Sequence, residues 1–233
     1  MFPNITKIEY VVRHRKMYPA LRPILQLLAD WQWRLFRIAP PPLSVKAKLI
    51  ASLAAKHQLK NFVETGTFFG DMIAAQVPRF DRLTTIELDP NLYEKACQRF
   101  CDCKKVQVLR GNSRNVLPHV LESLTEPTLF WLDGHYSGGI TAREESDTPI
   151  VEELTAIFSG YPHPHVILID DARLFRKGSD YPSLEFVSHM LQQYRAGWKL
   201  SVADDVICLE PSIAICNDTR SASRGTAMMA ADA

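Results

Sequence analysis

Apolar runs in this chain close on carboxylates. Glu64 ends Asn61-Phe-Val-Glu64, Glu87 ends Leu83-Thr-Thr-Ile-Glu87, Asp133 ends Thr128-Leu-Phe-Trp-Leu-Asp133, and Asp170 with Asp171 ends His165-Val-Ile-Leu-Ile-Asp170-Asp171. Near-continuous apolar runs of this length are what strands of a parallel sheet look like when both faces are covered, and their carboxyl ends form the edge where ligands bind. The first run feeds Gly66-Thr67-Phe68-Phe69-Gly70 and then a helix opening at Asp71. Such a turn aims backbone N–H groups and the positive end of the helix at a ligand. A glycine after the first strand is common in α/β proteins of every kind, so the turn gains meaning only from the acids around it.

Glu87 lies roughly 20 residues past the glycine turn, the spacing at which a carboxylate holds a ribose diol. The ligand should then carry a nucleoside. A dinucleotide fingerprint needs a second glycine where the backbone approaches a pyrophosphate, and that place is held by Phe68. Glu64 offers a negative charge suited instead to an ammonium group, as on the methionine part of S-adenosylmethionine. The third strand ends in Arg110-Gly111-Asn112-Ser113, which puts small polar groups where an adenine edge could be bonded. The expected cofactor contacts are Glu64, Gly66, Thr67, Gly70, Glu87, Asn112, Ser113 and Asp133.

Asp133, Asp170 and Asp171 should meet beside that pocket. Like charges so close share protons through raised pKa values or bind a cation, and an all-oxygen set suits magnesium. In the plainer reading Asp171 caps a turn and Asp133 accepts loop N–H bonds.

These residues need a frame, and the alternation of short apolar runs with helical segments supplies one. Strands are expected at 61–63, 83–88, 106–109, 128–133 and 165–171, with helices at 44–58, 71–77, 91–99, 116–124 and 148–158. That rhythm implies an α/β fold: a doubly wound, mostly parallel seven-stranded sheet. Runs at 199–209 and 212–216, joined at Glu210-Pro211, should form an antiparallel C-terminal hairpin. Ser44 and Thr148 read as helix caps. Residues 1–43 form an N-terminal helical appendage with a stripe of Leu25, Leu28, Trp31, Trp33 and Leu35, ended by Pro40-Pro41-Pro42. Residues 44–217 form the main domain, and 218–233 a disordered tail.

The 233 residues carry 27 basic and 26 acidic side chains, so no broad basic field exists to gather nucleic acid. A small-molecule or glycan acceptor fits better. The five cysteines lack the spacing of a zinc ribbon or disulfide framework and read as reduced thiols of a cytoplasmic protein. No secretory leader or spanning segment is expected. The appendage should pack on the domain or on a partner in a homo-oligomer, with a substrate lid or a membrane-surface contact as the lesser readings.

Val63-Glu64-Thr65-Gly66-Thr67, Ile86-Glu87-Leu88-Asp89-Pro90, Trp131-Leu132-Asp133-Gly134 and Ile169-Asp170-Asp171 together resemble the S-adenosylmethionine-dependent methyltransferases. Within them the motifs are most similar to the metal-dependent O-methyltransferases of the macrocin and catechol types. The resemblance covers residues 44–217. It implies S-adenosylmethionine on Glu64, Gly66 and Glu87, and Mg2+ on Asp133, Asp170 and Asp171. Two departures stand out: Tyr136 occupies the place of the catechol-type lysine base, and the Gly-His-Tyr-Ser-Gly-Gly loop lacks the further acids of the macrocin type. An Asp/Asn-Pro-Pro-Tyr/Phe run, expected for methylation of base or amide nitrogen, is absent after the fourth strand.

The expected activity is therefore O-methylation of a hydroxyl on a small molecule or sugar, with a divalent metal and with His135 taking the proton. The alternatives are a metal-independent methyltransferase of the same fold, in which the aspartates are structural, and a non-catalytic S-adenosylmethionine-binding module.

Overall fold

The computed structural model describes residues 4–12, 18–133, 148–160 and 163–212. His135, Tyr136 and the tail at 218–233 lie outside the described residues. Along the chain run α1 (Ile5–Val12), α2 (Tyr18–Phe36), α3 (Leu43–His57), β1 (Asn61–Thr65), α4 (Asp71–Gln76), β2 (Arg82–Glu87), α5 (Pro90–Phe100) and β3 (Val106–Arg110). They are followed by α6 (Ser113–Glu122), β4 (Thr128–Leu132), α7 (Ile150–Ser159), β5 (Val166–Ile169), α8 (Leu184–Tyr194), β6 (Trp198–Ala203) and β7 (Val206–Pro211).

The strands form one seven-stranded sheet in the order β3-β2-β1-β4-β5-β7-β6, parallel except for β7, which runs antiparallel to both β5 and β6. The order reverses between β1 and β4, where crossovers leave toward opposite edges and a crevice opens at the carboxyl ends. Strand alternation divides the core into two layers. Phe62, Leu83, Leu129, Trp131 and Leu168 point toward α3, α4 and α5. Val63, Ile86, Phe130, Leu132 and Ile169 point toward α6, α7 and α8.

Three local expectations change. The C-terminal hairpin turns at Asp204-Asp205, both with positive φ (49° and 63°), rather than at Glu210-Pro211. Aspartate tolerates the left-handed region that a two-residue hairpin turn demands, and Pro211 simply ends β7. Ser44 is not a cap: α3 begins behind Pro42 without a side-chain cap bond, and the Ser44 hydroxyl donates to Asp30. Helix α8 had no counterpart in the sequence reading. It begins at Ser183, whose Oγ accepts the Phe186 N–H at 3.3 Å.

The appendage is a hairpin of α1 and α2 fixed to the domain by polar contacts. Arg22 pairs with Asp71 at 3.1 Å and Arg37 with Asp204 at 2.9 Å. The expected stripe divides: Trp33 is buried, Leu25 is half-buried, and Leu28, Trp31 and Leu35 are exposed.

Candidate functional site

At the end of β1 the chain passes through Gly66 (φ 84°), Phe68 (φ 51°) and Gly70 (φ 73°) before α4 begins. Left-handed backbone at Phe68 is unfavourable for a bulky side chain, so the surroundings must hold it. They do so through Glu87. Its Oε2 accepts the Phe68 N–H at 2.7 Å and its Oε1 accepts the Asp89 N–H at 2.9 Å. Burial raises the Glu87 pKa and the two N–H donors oppose that rise, so the carboxyl is seated between the β1–α4 and β2–α5 connections. Gly70 is needed for two reasons: its φ, and a Cβ there would come 2.7 Å from Phe100 Cε2.

Glu64 is 1% exposed at the sheet edge. Its Oε2 accepts from the Thr85 hydroxyl at 2.6 Å, and Thr85 Oγ1 lies 2.6 Å from Thr67 Oγ1. Burial holds the Glu64 pKa well above the carboxylate range, and Asp133, Glu87 and Asp71 add to the rise. A cation brought against it would be strongly favoured. Thr67 is buried, its hydroxyl joins this chain, its N–H donates to the Ile86 carbonyl at 3.3 Å and its carbonyl accepts the Gly70 N–H at 2.8 Å, so its polar groups hold the turn itself. Asn112 caps α6, its Oδ1 accepting the Arg114 N–H at 2.9 Å, and Ser113 is buried against Glu153.

The second half of the site lies at the ends of β4 and β5. The Asp133 N–H continues the β4–β1 ladder to the Thr65 carbonyl at 3.1 Å, and the Asp170 N–H continues the β5–β4 ladder to Leu132 at 3.0 Å. The two acids therefore stand on adjacent strand ends, as expected. What the sequence reading missed is Lys46. From α3 its Nζ reaches Asp170 Oδ2 at 2.5 Å and Asp171 Oδ1 at 3.8 Å. Burial alone would lower the Lys46 pKa, but Asp170, Asp133 and Asp171 together raise it. The lysine is thus held as the cation of the acidic group. Burial, with Asp133 and Asp171, pushes Asp170 upward, and Lys46 opposes that push.

Asp171 has φ 57° and accepts from Arg173 at 2.7 Å, so it turns partly toward the β6–β7 end. Among the described residues no group of three or more His, Cys, Asp or Glu side chains is arranged to hold a metal ion.

A cavity opens between these strand ends and α7. Its walls include Asp133, Thr148, Glu153, Asp170, Phe175 and Tyr181. Glu153 was also missed. It is 1% exposed, burial raises it to about 7, and its Oε1 lacks a hydrogen-bond partner among the described residues. The sequence did carry a signal for both missed residues. Lys46 precedes buried Ile50 by one helical turn and Glu153 sits between buried Ile150 and Ile157, so each is a charge on an apolar stripe.

Two solved structures share this architecture. The O-methyltransferase TomG from Streptomyces achromogenes, involved in tomaymycin synthesis and solved in complex with S-adenosylmethionine, is 19% identical with a TM-score of 0.57, over 91% of this chain and 100% of that one. A Staphylococcus aureus protein described as a caffeoyl-CoA O-methyltransferase is 15% identical with a TM-score of 0.51, over 89% of this chain and 99% of that one. No family model and no curated protein matches the sequence.

Proposed function

We propose that this chain, which has the fold of the S-adenosylmethionine-dependent methyltransferases, uses it to transfer a methyl group to an oxygen of a small molecule or glycan. The observation that carries the reading is the seat of Glu87. A buried carboxylate seated between the β1–α4 and β2–α5 connections by the Phe68 and Asp89 N–H groups is preorganised to accept a pair of hydroxyls. S-adenosylmethionine would supply the sulfonium methyl. Around it Gly66, Thr67 and Gly70 provide backbone approach, Glu64 faces the ammonium, Asn112 and Ser113 border the base, and Asp133 lies between donor and acceptor.

For the acceptor step two forms compete. In the metal-dependent form Asp133, Asp170 and Asp171 would hold Mg2+ and lower the acceptor's pKa. The residues as placed do not fit that role well, because Lys46 Nζ already lies within 4 Å of two of the three acids and Arg173 takes a share of Asp171. Lys46 favours the metal-independent form, in which its ammonium supplies the positive charge beside the attacking oxygen. In either form we assign proton removal to His135, two residues beyond Asp133. Holding acceptor and donor in a near-attack geometry contributes ~7 kcal/mol or more, and a positioned base adds about 10²- to 10⁴-fold.

The test is methyl transfer from labelled S-adenosylmethionine to a panel of hydroxylated acceptors, with and without a chelator. Transfer that survives chelation and collapses in Lys46→Met, under conditions where circular dichroism shows that variant folded, supports the lysine form. Transfer abolished by chelation and restored by magnesium supports the metal form. Transfer only to nitrogen acceptors contradicts O-methylation.

A further inference from the structure

We propose that the outward face of the α1–α2 hairpin is a docking surface for an anionic lipid bilayer. On α2, Leu21, Ile24, Leu27, Leu28, Trp31 and Leu35 recur at helical spacing along one side, and the side that meets the domain instead carries Ala29 and Trp33. Leu27 is 70% exposed, Trp31 61% and Ile24 58%, and Val11 of α1 extends the patch at 70%. An apolar stripe of this length left in water marks a contact site. No helix among the described residues is long and apolar enough to cross a membrane, so the geometry is that of a helix lying on a surface.

Charge identifies the occupant. Residues 1–43 contain seven basic and two acidic side chains, whereas the other 190 contain 20 basic and 24 acidic. Both acids of the appendage turn away from the apolar stripe: Glu9 is 5% exposed and accepts from the Tyr18 hydroxyl at 2.9 Å, and Asp30 accepts from Ser44 on α3. Lys7, Arg34 and Arg37 are exposed. A leucine and tryptophan stripe on a segment whose basic residues outnumber its acids seven to two suits an anionic headgroup layer, where each basic residue near the surface strengthens binding by about fivefold. A second copy packed on this face about a two-fold axis would bring the same cations against each other, which opposes that pairing.

The experiment is co-sedimentation of the full chain with vesicles of equal parts phosphatidylcholine and phosphatidylglycerol, and with phosphatidylcholine alone, at low and high salt. The expected result is at least ~10-fold tighter binding to the anionic vesicles, lost at high salt. Trp31→Glu and Leu27→Glu should each weaken binding about tenfold while S-adenosylhomocysteine affinity stays unchanged. Equal binding to both vesicle types, or none to either, overturns the proposal. Indifference to vesicles together with a dimer that Leu27→Glu splits assigns the face to a second copy instead.

Discussion

The residues that carry this site are carboxylates whose surroundings give them different work. Glu87 is buried and accepts two N–H donors, Glu64 is deeply buried beside hydroxyls, and Glu153 is buried with one oxygen lacking a partner among the described residues. Glu153 makes a pH prediction. Burial raises its folded pKa to about 7 from an ordinary value of 4.5, so the native state keeps a proton that the unfolded state releases. Its contribution to stability is therefore present in full below pH ~4.5 and is lost as the pH rises toward about 7. Glu153→Gln should match the parent at low pH and exceed it at pH ~8 by up to about 3 kcal/mol, read by denaturant unfolding at both values. Equal stability of the two proteins at pH ~8 contradicts a proton-holding Glu153. Strand-end acids such as Glu87 and Asp170 were legible because a charge closing an apolar run is conspicuous. Lys46 and Glu153 were not, because a single charge inside a helical stripe looks like a solvated residue until tertiary packing buries it.

At the scale of elements, the crevice depends on how α3 and α4 meet the sheet. Gly70 starts α4 with positive φ and faces Phe100 of α5. Gly70→Ala should cost about 1–3 kcal/mol and weaken cofactor binding, because the glycine turn must shift with it. Thermal unfolding and ligand titration together check this, and an unchanged midpoint would contradict the close packing described. Helix α3 is joined to the end of β5 through Lys46 and Asp170. Lys46→Met should cost roughly 3–5 kcal/mol by taking from buried Asp170 its cation, and adding Asp170→Asn should recover part of that loss. Purely additive losses would mean the pair is not coupled. The alternation of strands and helices was readable from 44 onward because β4 and β5 are near-unbroken apolar runs and β1 to β3 are short runs rich in apolar and β-branched residues. The hairpin turn was misplaced because Glu210-Pro211 looks like a breaker, whereas Asp204-Asp205 sits inside a run without glycine or proline to mark it.

Over the whole molecule, the appendage and the glycine turn are linked by one buried acid. Asp71 Oδ1 receives Arg22 from α2 at 3.1 Å and Arg99 from α5 at 2.9 Å. Either arginine alone keeps the charge compensated, so Arg22→Ala should cost under about 1 kcal/mol, while Arg22→Ala with Arg99→Ala should lose several kcal/mol more than the two single losses combined. The double-mutant cycle, measured by denaturant unfolding, would contradict the link if the losses simply added. The sheet order, the crevice and the acids at its rim depend on one central claim: the crevice is a nucleoside site gripped by Glu87. Calorimetric titration with S-adenosylhomocysteine tests it most directly. The parent chain and Asp170→Asn should bind alike, while Glu87→Ala should lose about 100-fold or more, as two charged hydrogen bonds are removed. Equal binding by Glu87→Ala and the parent, or loss in Asp170→Asn alone, would contradict the account.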